Sequence, residues 1–94
     1  MKPSMNTPIK IIRLSEVLNV LPLSRTTMYL KVKNGLLPPA ISLGEKAVGY
    51  IEHEYQTVLA SMIAGDSEDE IKELVKTLIN DRQKLKQGLT HASC

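Results

Sequence analysis

Proline residues at positions 22, 38 and 39 divide the first half of this 94-residue chain into short segments. Proline lacks a backbone N–H and clashes with the preceding helical turn, so Pro22 must end any helix that reaches it. The successive prolines Pro38 and Pro39 restrict "LLPPA" to an extended connector. The chain therefore has room for two short helices before the connector, and its remaining elements must follow it.

Two short helices are predicted before the connector. Ser15 is a candidate N-cap for the first, because Val17 and Leu21 follow at helical spacing. Ser24 is a candidate N-cap for the second, which is predicted over 25–33 and ends at the left-handed stop "NG". Two short helices joined by a break of about three residues are typical of a helix-turn-helix.

A β-hairpin and two longer helices are predicted after the connector. The stretch "AISLGEKAVGYI" predicts a hairpin with Gly44 in its turn and Lys46 near its tip. A helix is predicted over 52–64, and a last helix begins at the capping box formed by Ser67 and Glu70. The apolar side of the helix over 52–64 consists of Tyr55, Val58, Leu59, Met62 and Ile63.

The last helix carries apolar residues at alternating steps of four and three, which is the spacing of a weak coiled coil. Arg82 interrupts this stripe. The candidate residues for dimerisation into a homodimer are Ile71, Val75, Leu78 and Leu85. The alternative, in which the helix folds back over its own domain, agrees equally well with the sequence. The predicted organisation is a flexible arm at 1–9, a domain at 10–65, this helix at 66–89 and a tail at 90–94.

Composition limits the classes of function. The formal net charge is +2, and the excess of basic residues lies in the first two-thirds of the chain, which permits a polyanionic partner without requiring one. Cys94 has no second cysteine with which to form a disulfide. The N-terminal residues are polar, and no apolar run is long enough to span a membrane. These features predict a soluble cytoplasmic protein.

The residue patterns that usually accompany catalysis are missing from the sequence. It contains no paired carboxylates in an apolar setting, no glycine-rich phosphate loop and no grouping of serine, histidine and acid. His53 and His91 lack the spacing of metal ligands. We therefore expect a protein with no catalytic residues, no cofactor and no metal.

The second helix has an unusual polar face. It carries four hydroxyls and three cations, with no acidic residue between Glu16 and Glu45: Ser24, Arg25, Thr26, Thr27, Tyr29, Lys31 and Lys33. A helix whose N-terminus enters the major groove of DNA brings such groups to phosphate oxygens and base edges. The alternative is a short amphipathic helix whose polar face is only solvated. The hairpin that follows fits a wing with Lys46 at its tip, although Glu45 offsets part of that charge.

Several segments in order resemble the AlpA family of prophage regulatory proteins, which are related to MerR-like winged helix-turn-helix excisionases. These segments are "RLSEV", "LSRTTMY", the Gly35-x-x-Pro38 stop, "LG" before the hairpin and "AVGYIEHE". The resemblance covers about residues 10–64. It implies a mainly α fold with a small β-hairpin, a winged helix-turn-helix to which this chain adds a C-terminal helix.

The resemblance implies a nucleoid-associated regulator that binds double-stranded DNA of a prophage or integrated element. Such a protein activates integrase or excision genes or acts as an excisionase, with an integrase or RNA polymerase as its protein partner. The family's recognition positions correspond here to Ser24, Arg25, Thr26, Thr27 and Tyr29, and its basic wing-tip position corresponds to Lys46. We expect Arg25 to contact a base, and Lys31 and Lys33 to lie near flanking phosphates.

Three departures from the family pattern bear on affinity and sequence preference. Leu30 follows the tyrosine where the family often has arginine, Pro22 replaces a glycine in the turn, and "GEK" replaces a more basic wing. The alternative function is a non-catalytic protein-interaction module that modulates another regulator or an integrase. Under that alternative, Leu30, Leu36 and Leu37 would form the contact patch.

Overall fold

The computed structural model describes the backbone of residues 9–92 and the side chains of residues 9–85. Residues 1–8 of the predicted arm, the His91 side chain and Cys94 lie outside these limits. The elements of the described chain are β1 (Ile11–Ile12), α1 (Leu14–Val20), α2 (Arg25–Lys33), β2 (Ile41–Gly44), β3 (Ala47–Ile51), α3 (Glu52–Ile63) and α4 (Glu68–Ala92). The strands form an antiparallel sheet in the order β1-β3-β2. This arrangement confirms the predicted winged helix-turn-helix fold.

The first helix begins one residue earlier than its predicted cap. The Glu16 carboxylate accepts a hydrogen bond of 3.1 Å from the backbone N–H of Arg13, which is the N-cap of α1. The prediction of Ser15 as N-cap was wrong, because Glu16 stands three residues after Arg13 and supplies the carboxylate of a capping box there. The helix ends before Pro22, as predicted.

The bounds of α2 agree with the prediction at both ends. The Ser24 hydroxyl oxygen accepts a hydrogen bond of 3.1 Å from the backbone N–H of Thr27. At the C-terminal end, Gly35 has a φ of 80° and the backbone N–H of Leu36 donates to the Lys31 carbonyl at 2.8 Å. This is a Schellman motif, in which a left-handed glycine satisfies carbonyls that the helix leaves open.

The hairpin forms where it was predicted, and it gains a third strand that the sequence did not reveal. Residues 45 and 46 form the turn between β2 and β3. The strand β1 pairs with β3, so that Ile11 lies opposite Ile51 and Ile12 lies opposite Tyr50. A strand of two residues has no periodicity of its own, and its pairing depends on a distant partner.

The core is aliphatic apart from two tyrosines, as the absence of Phe and Trp requires. Val17, Met28 and Leu37 are fully buried beside Tyr55 and Val58. One predicted core residue was wrong.

Ile63 is 77% exposed to solvent. It is the last residue of α3 and lies about 100° around the helix from Met62, at the edge of the apolar stripe. The chain turns away at Gly65, which has a φ of 85°, and the described residues leave this edge uncovered.

The helix α4 starts at the predicted capping box and packs on α3. The Ser67 backbone N–H donates to the Glu70 carboxylate at 2.8 Å, and the Glu70 backbone N–H donates to the Ser67 hydroxyl at 3.2 Å. The helix continues to Ala92, three residues beyond its predicted end at 89.

Three of the four candidate dimerisation residues lie in the core of their own chain. Ile71, Val75 and Leu78 belong to the buried cluster, whereas Leu85 is 42% exposed. This is the packing that the fold-back alternative describes, and it leaves these three side chains unavailable to a second chain while α4 stays docked. Dimerisation stays a prediction.

A buried ion pair joins α4 to α3 and to the proline connector. Arg82 donates from Nε and Nη2 to the two carboxylate oxygens of Glu54 at 2.8 and 2.7 Å. Its Nη2 also donates to the Pro39 carbonyl at 2.9 Å. The Glu54 side chain is almost fully buried and that of Arg82 is largely so. The arginine that interrupts the apolar stripe therefore holds three parts of the fold together.

The neighbouring carbonyl of the connector also has a side-chain partner. The Tyr55 hydroxyl donates to the Pro38 carbonyl at 2.5 Å, and the Tyr55 ring meets that of Tyr50 edge-on at a centroid distance of 5.7 Å. Burial raises the pKa of Tyr55 far above its ordinary value of 10.0. Both prolines are thus fixed by side chains from α3 and α4.

We expect Arg82→Met to lower the free energy of unfolding by about 3–5 kcal/mol, because it leaves the buried Glu54 carboxylate without its partner. The double variant Glu54→Gln/Arg82→Met should be more stable than Arg82→Met, since no unpaired charge is then buried. Lys84→Met is the matched control, because its ion pair with Asp81 is exposed and worth about 1 kcal/mol or less. Urea unfolding measures all three, and similar losses for Arg82→Met and Lys84→Met would contradict the assignment.

Raising the pH above about 10 should destabilise the fold through Tyr55. Its pKa is raised in the folded state, so the folded protein keeps a proton that the unfolded chain releases, and unfolding is favoured as the pH rises. The contribution is fully present below the ordinary pKa of 10.0 and is lost above it. Urea unfolding between about pH 8 and about pH 11 tests this. Tyr55→Phe should be less stable at pH 8 but less sensitive to pH, and an unchanged pH dependence would contradict the prediction.

Candidate nucleic-acid interface

The helix α2 divides into a buried side and a solvent side. Met28 is fully buried, whereas Tyr29 and Leu30 are each 53% exposed. With about 100° between successive residues, Thr26, Leu30 and Lys33 lie on the side opposite Met28. The polar face predicted from the sequence therefore points outward, with a leucine at its centre.

The N-terminal turn of α2 uses one of its hydroxyls for its own cap. The Ser24 hydroxyl donates to the Thr27 hydroxyl at 2.9 Å and accepts from the Thr27 backbone N–H at 3.1 Å. The two hydroxyls are therefore hydrogen-bonded to each other, and one of their two protons remains for an acceptor outside the turn.

Two backbone groups at the same helix end point towards solvent. The N–H groups of Arg25 and Thr26 belong to the first turn, where an α-helix has no carbonyl to accept them. Among the described residues, neither group donates a hydrogen bond outside the helix. The partial positive charge of the helix dipole lies at this end, which makes it suitable for an anionic oxygen.

Four basic side chains of this surface are free of carboxylate partners in the part of the chain that the structure describes. Within the described chain, the ion pairs involve none of Arg25, Lys31, Lys33 and Lys46. Arg25, Lys33 and Lys46 are exposed, and Lys31 is half-buried. A cation that is not neutralised by a neighbouring acid remains available to an external anion.

Lys46 occupies a strained position at the tip of the hairpin. Its φ is 56°, and it is the one non-glycine residue of the described chain with a positive φ. A side chain in this region costs about 1–2 kcal/mol, which glycine would avoid. The chain thus places a lysine at a turn position that favours glycine. Glu45 precedes it and is also exposed.

Tyr50 on β3 is buried in the core. Burial raises the pKa of Tyr50, and the Tyr29 phenol on α2 raises it further. Tyr50 packs in turn on Tyr55 of α3.

A groove of about 380 Å³ lies on another side of the molecule, between the C-terminal end of α2 and α4. Its charged lining mixes acids with bases, namely Asp69, Lys72, Glu73 and Lys76. A phosphate backbone would meet both signs of charge there. The groove is therefore not part of the basic surface on α2.

The structure places the residues that the sequence singled out on two elements. The seven from Ser24 to Lys33 lie on one helix and its cap, and Lys46 lies in the turn of the β2–β3 hairpin. The alternative leucine patch does not form, because Leu36 and Leu37 are buried in the core and Leu30 alone is exposed. The free N–H groups of Arg25 and Thr26 are those that an N-terminus capped at Ser24 is expected to present.

No helix in the described part of the chain has both the length and the apolar character needed to cross a membrane.

Comparison with known proteins gives one family and one relative. The family model described as "Prophage CP4-57 regulatory protein (AlpA)" matches residues 10–61. The relative is an uncharacterized protein, ORF88, of Enterobacteria phage P4. It is 37% identical over 59 residues, which cover 63% of this chain and 67% of that protein. No solved structure matches the chain. Because the family model matches more than half of the residues, and spans the helix-turn-helix, the sheet and most of α3, the chain belongs to the AlpA family of prophage regulatory proteins.

Proposed function

We propose that this protein regulates a prophage or integrated element by binding a specific site on double-stranded DNA. The observation that carries the proposal is the outward face of α2. It combines outward-facing hydroxyls with two backbone N–H groups that have no bonding partner, and cations that have no acidic partner, among the described residues. Membership of a prophage regulatory family supports the same conclusion. Within this function, the protein activates integrase or excision genes or acts as an excisionase.

The geometry suggests how the helix would be used. With the N-terminus of α2 in the major groove, Arg25 reaches the base edges, where a guanine offers two acceptors in the geometry of a guanidinium group. Thr26 and Thr27 donate to bases or phosphates, and the two free N–H groups bind a phosphate oxygen. Lys31 and Lys33 lie towards flanking phosphates.

The hairpin supplies a second contact in this arrangement. Lys46 at its tip meets the backbone or the minor groove beside the site. The positive φ of Lys46 supports this role, because strained residues are retained where the surrounding structure and function require them.

Binding to duplex fragments from the protein's own genetic neighbourhood tests the proposal. The fragments are compared with a random duplex at two salt concentrations. Preference for one fragment, together with affinity that falls steeply as salt rises, is the expected result. The absence of binding at low salt would overturn the proposal and favour the protein-interaction module. A turnover screen is not needed for this distinction.

Arg25→Ala should weaken binding to the preferred fragment by about 1–3 kcal/mol and relax the preference at one base pair. The physical reason is the loss of a two-pronged hydrogen bond to a guanine edge. Competition binding against single-base variants of the fragment measures both effects. Arg25→Lys is the matched control, since it keeps the charge and loses the fork. An equal loss on the preferred and the random duplex would contradict the base contact.

Lys46→Asn should weaken binding to all sequences about equally and reduce the salt slope by about 1. Asparagine tolerates a positive φ, so the turn is kept while the charge is removed. Glu45→Gln is the opposite control, because it removes the neighbouring negative charge and should raise the affinity for any duplex. An unchanged salt slope in Lys46→Asn would place the tip of the hairpin away from the DNA.

A further inference from the structure

Leu30 is half-exposed at the centre of the outward face of α2. The inward side of the helix is formed by Met28 and Val32, which already belong to the core and its margin. Leu30 is absent from that core, so the fold does not require an aliphatic side chain there. An exposed leucine is common by itself. Its position, one turn after Thr26 and one turn before Lys33 on the face proposed to enter DNA, is the informative feature.

The charges around Leu30 limit what can cover it. The cations of α2 have no acidic partner in the described chain, and no acid occurs between Glu16 and Glu45. An apolar surface laid over Leu30 would desolvate these neighbouring cations without pairing them, which is costly. The major groove of DNA can cover Leu30 without this cost. Phosphates on its rims pair with the cations, and a methyl group on its floor offers an apolar contact. That methyl group is the C5-methyl of thymine, which is recognised by apolar contact.

We propose that Leu30 is a specificity-determining residue that contacts the C5-methyl group of a thymine in the major groove. This inference rests on the proposed DNA binding and adds to it the class of base pair that the centre of the helix prefers. Thr26 and Leu30 are one turn apart, about 6 Å along the helix axis. The thymine therefore lies within about two base pairs of the position that Thr26 faces. The DNA site would thus contain one base pair that accepts hydrogen bonds from the N-terminus of α2 and, further along the groove, an A·T pair that contacts Leu30.

Replacing thymine by deoxyuridine tests the contact on the DNA side. The substitution removes one methyl group and leaves the hydrogen-bonding edge and the phosphates unchanged. The duplex used is the one that the protein prefers from a random library. Each thymine in the part of this duplex that the bound protein covers is replaced singly. We expect the replacement at one or two positions to lower the affinity of the wild-type protein about fourfold. This is the effect of removing one apolar carbon group from contact.

Protein variants assign the effect to Leu30. Leu30→Ala should bind the thymine and deoxyuridine duplexes with equal affinity at the sensitive position, while Leu30→Met should keep most of the difference. Arg25→Ala is the matched control, because it should weaken binding and retain the deoxyuridine effect. Circular dichroism checks that Leu30→Ala keeps its helices, as an exposed position allows.

The outcomes separate this inference from the function on which it rests. A preferred duplex that is bound in a salt-dependent manner, with no deoxyuridine effect at any thymine, would overturn the role of Leu30 and leave DNA binding intact. A deoxyuridine effect that persists unchanged in Leu30→Ala would assign the methyl contact to another residue and also overturn it. If no preferred duplex emerges from the library, sequence-specific binding itself is overturned, and the inference is overturned with it.

Discussion

The connector between α2 and the hairpin can be buried only because the carbonyl groups of its two prolines find hydrogen-bond donors. Pro38 is fully buried and Pro39 half-buried, and neither carbonyl lies in a helix or a strand. Buried carbonyls without partners are costly. Here the Tyr55 hydroxyl and the Arg82 guanidinium supply the missing hydrogen bonds. Because the connector joins α2 to β2, these two bonds hold the segment through which the hairpin is attached to the helix.

This arrangement changes the meaning of α4. Arg82 comes from α4, so that helix contributes to the support of the hairpin even though it lies outside the matched family region. A buried ion pair is not by itself a source of stability, since an apolar pair of similar size is often as good. Its advantage here is geometric, because one guanidinium binds a carboxylate on α3 and a carbonyl of the connector at the same time. An apolar side chain could fill the space but could not bind that carbonyl.

The features that the sequence predicted well are those with local signals. The bounds of α2 follow from a cap at Ser24 and a left-handed glycine after Asn34, and both act within one turn of the helix. The features it missed depend on contacts between distant residues. The strand β1 forms only because it pairs with β3. In the sequence Arg82 only interrupts an apolar stripe, and its role becomes visible when the structure shows its ion pair with Glu54.

The candidate site divides in the same way. The identity of its side chains was available from the sequence, since a run of hydroxyls and cations without acids is visible by inspection. Their orientation was not. Ser24 and Thr27 look independent in the sequence, yet their hydroxyls lie 2.9 Å apart and bond to each other, so only one of the two protons is left for an outside acceptor. From the sequence, Leu30 is only the loss of a basic residue that the family often has at this position. The structure places Leu30 at the centre of the outward face of α2.

The distribution of chemistry over this surface bears on how a regulator of this kind would discriminate among sites. Cations hold DNA through phosphates, and such contacts are equal for every sequence. The surface formed by α2 and the hairpin has four such cations. One of them, Lys31, is half-buried, and Glu45 stands beside Lys46. Because phosphate contacts are equal for every sequence, weakening them lowers the affinity for all DNA. The ratio of the affinity for a specific site to the affinity for random DNA changes less. That ratio is set by the groups that reach base edges in the proposed mode, which are Arg25 and Thr26 at the N-terminus of the helix and Leu30 one turn further along. A modestly charged helix with an apolar centre is therefore suited to selecting a small number of sites.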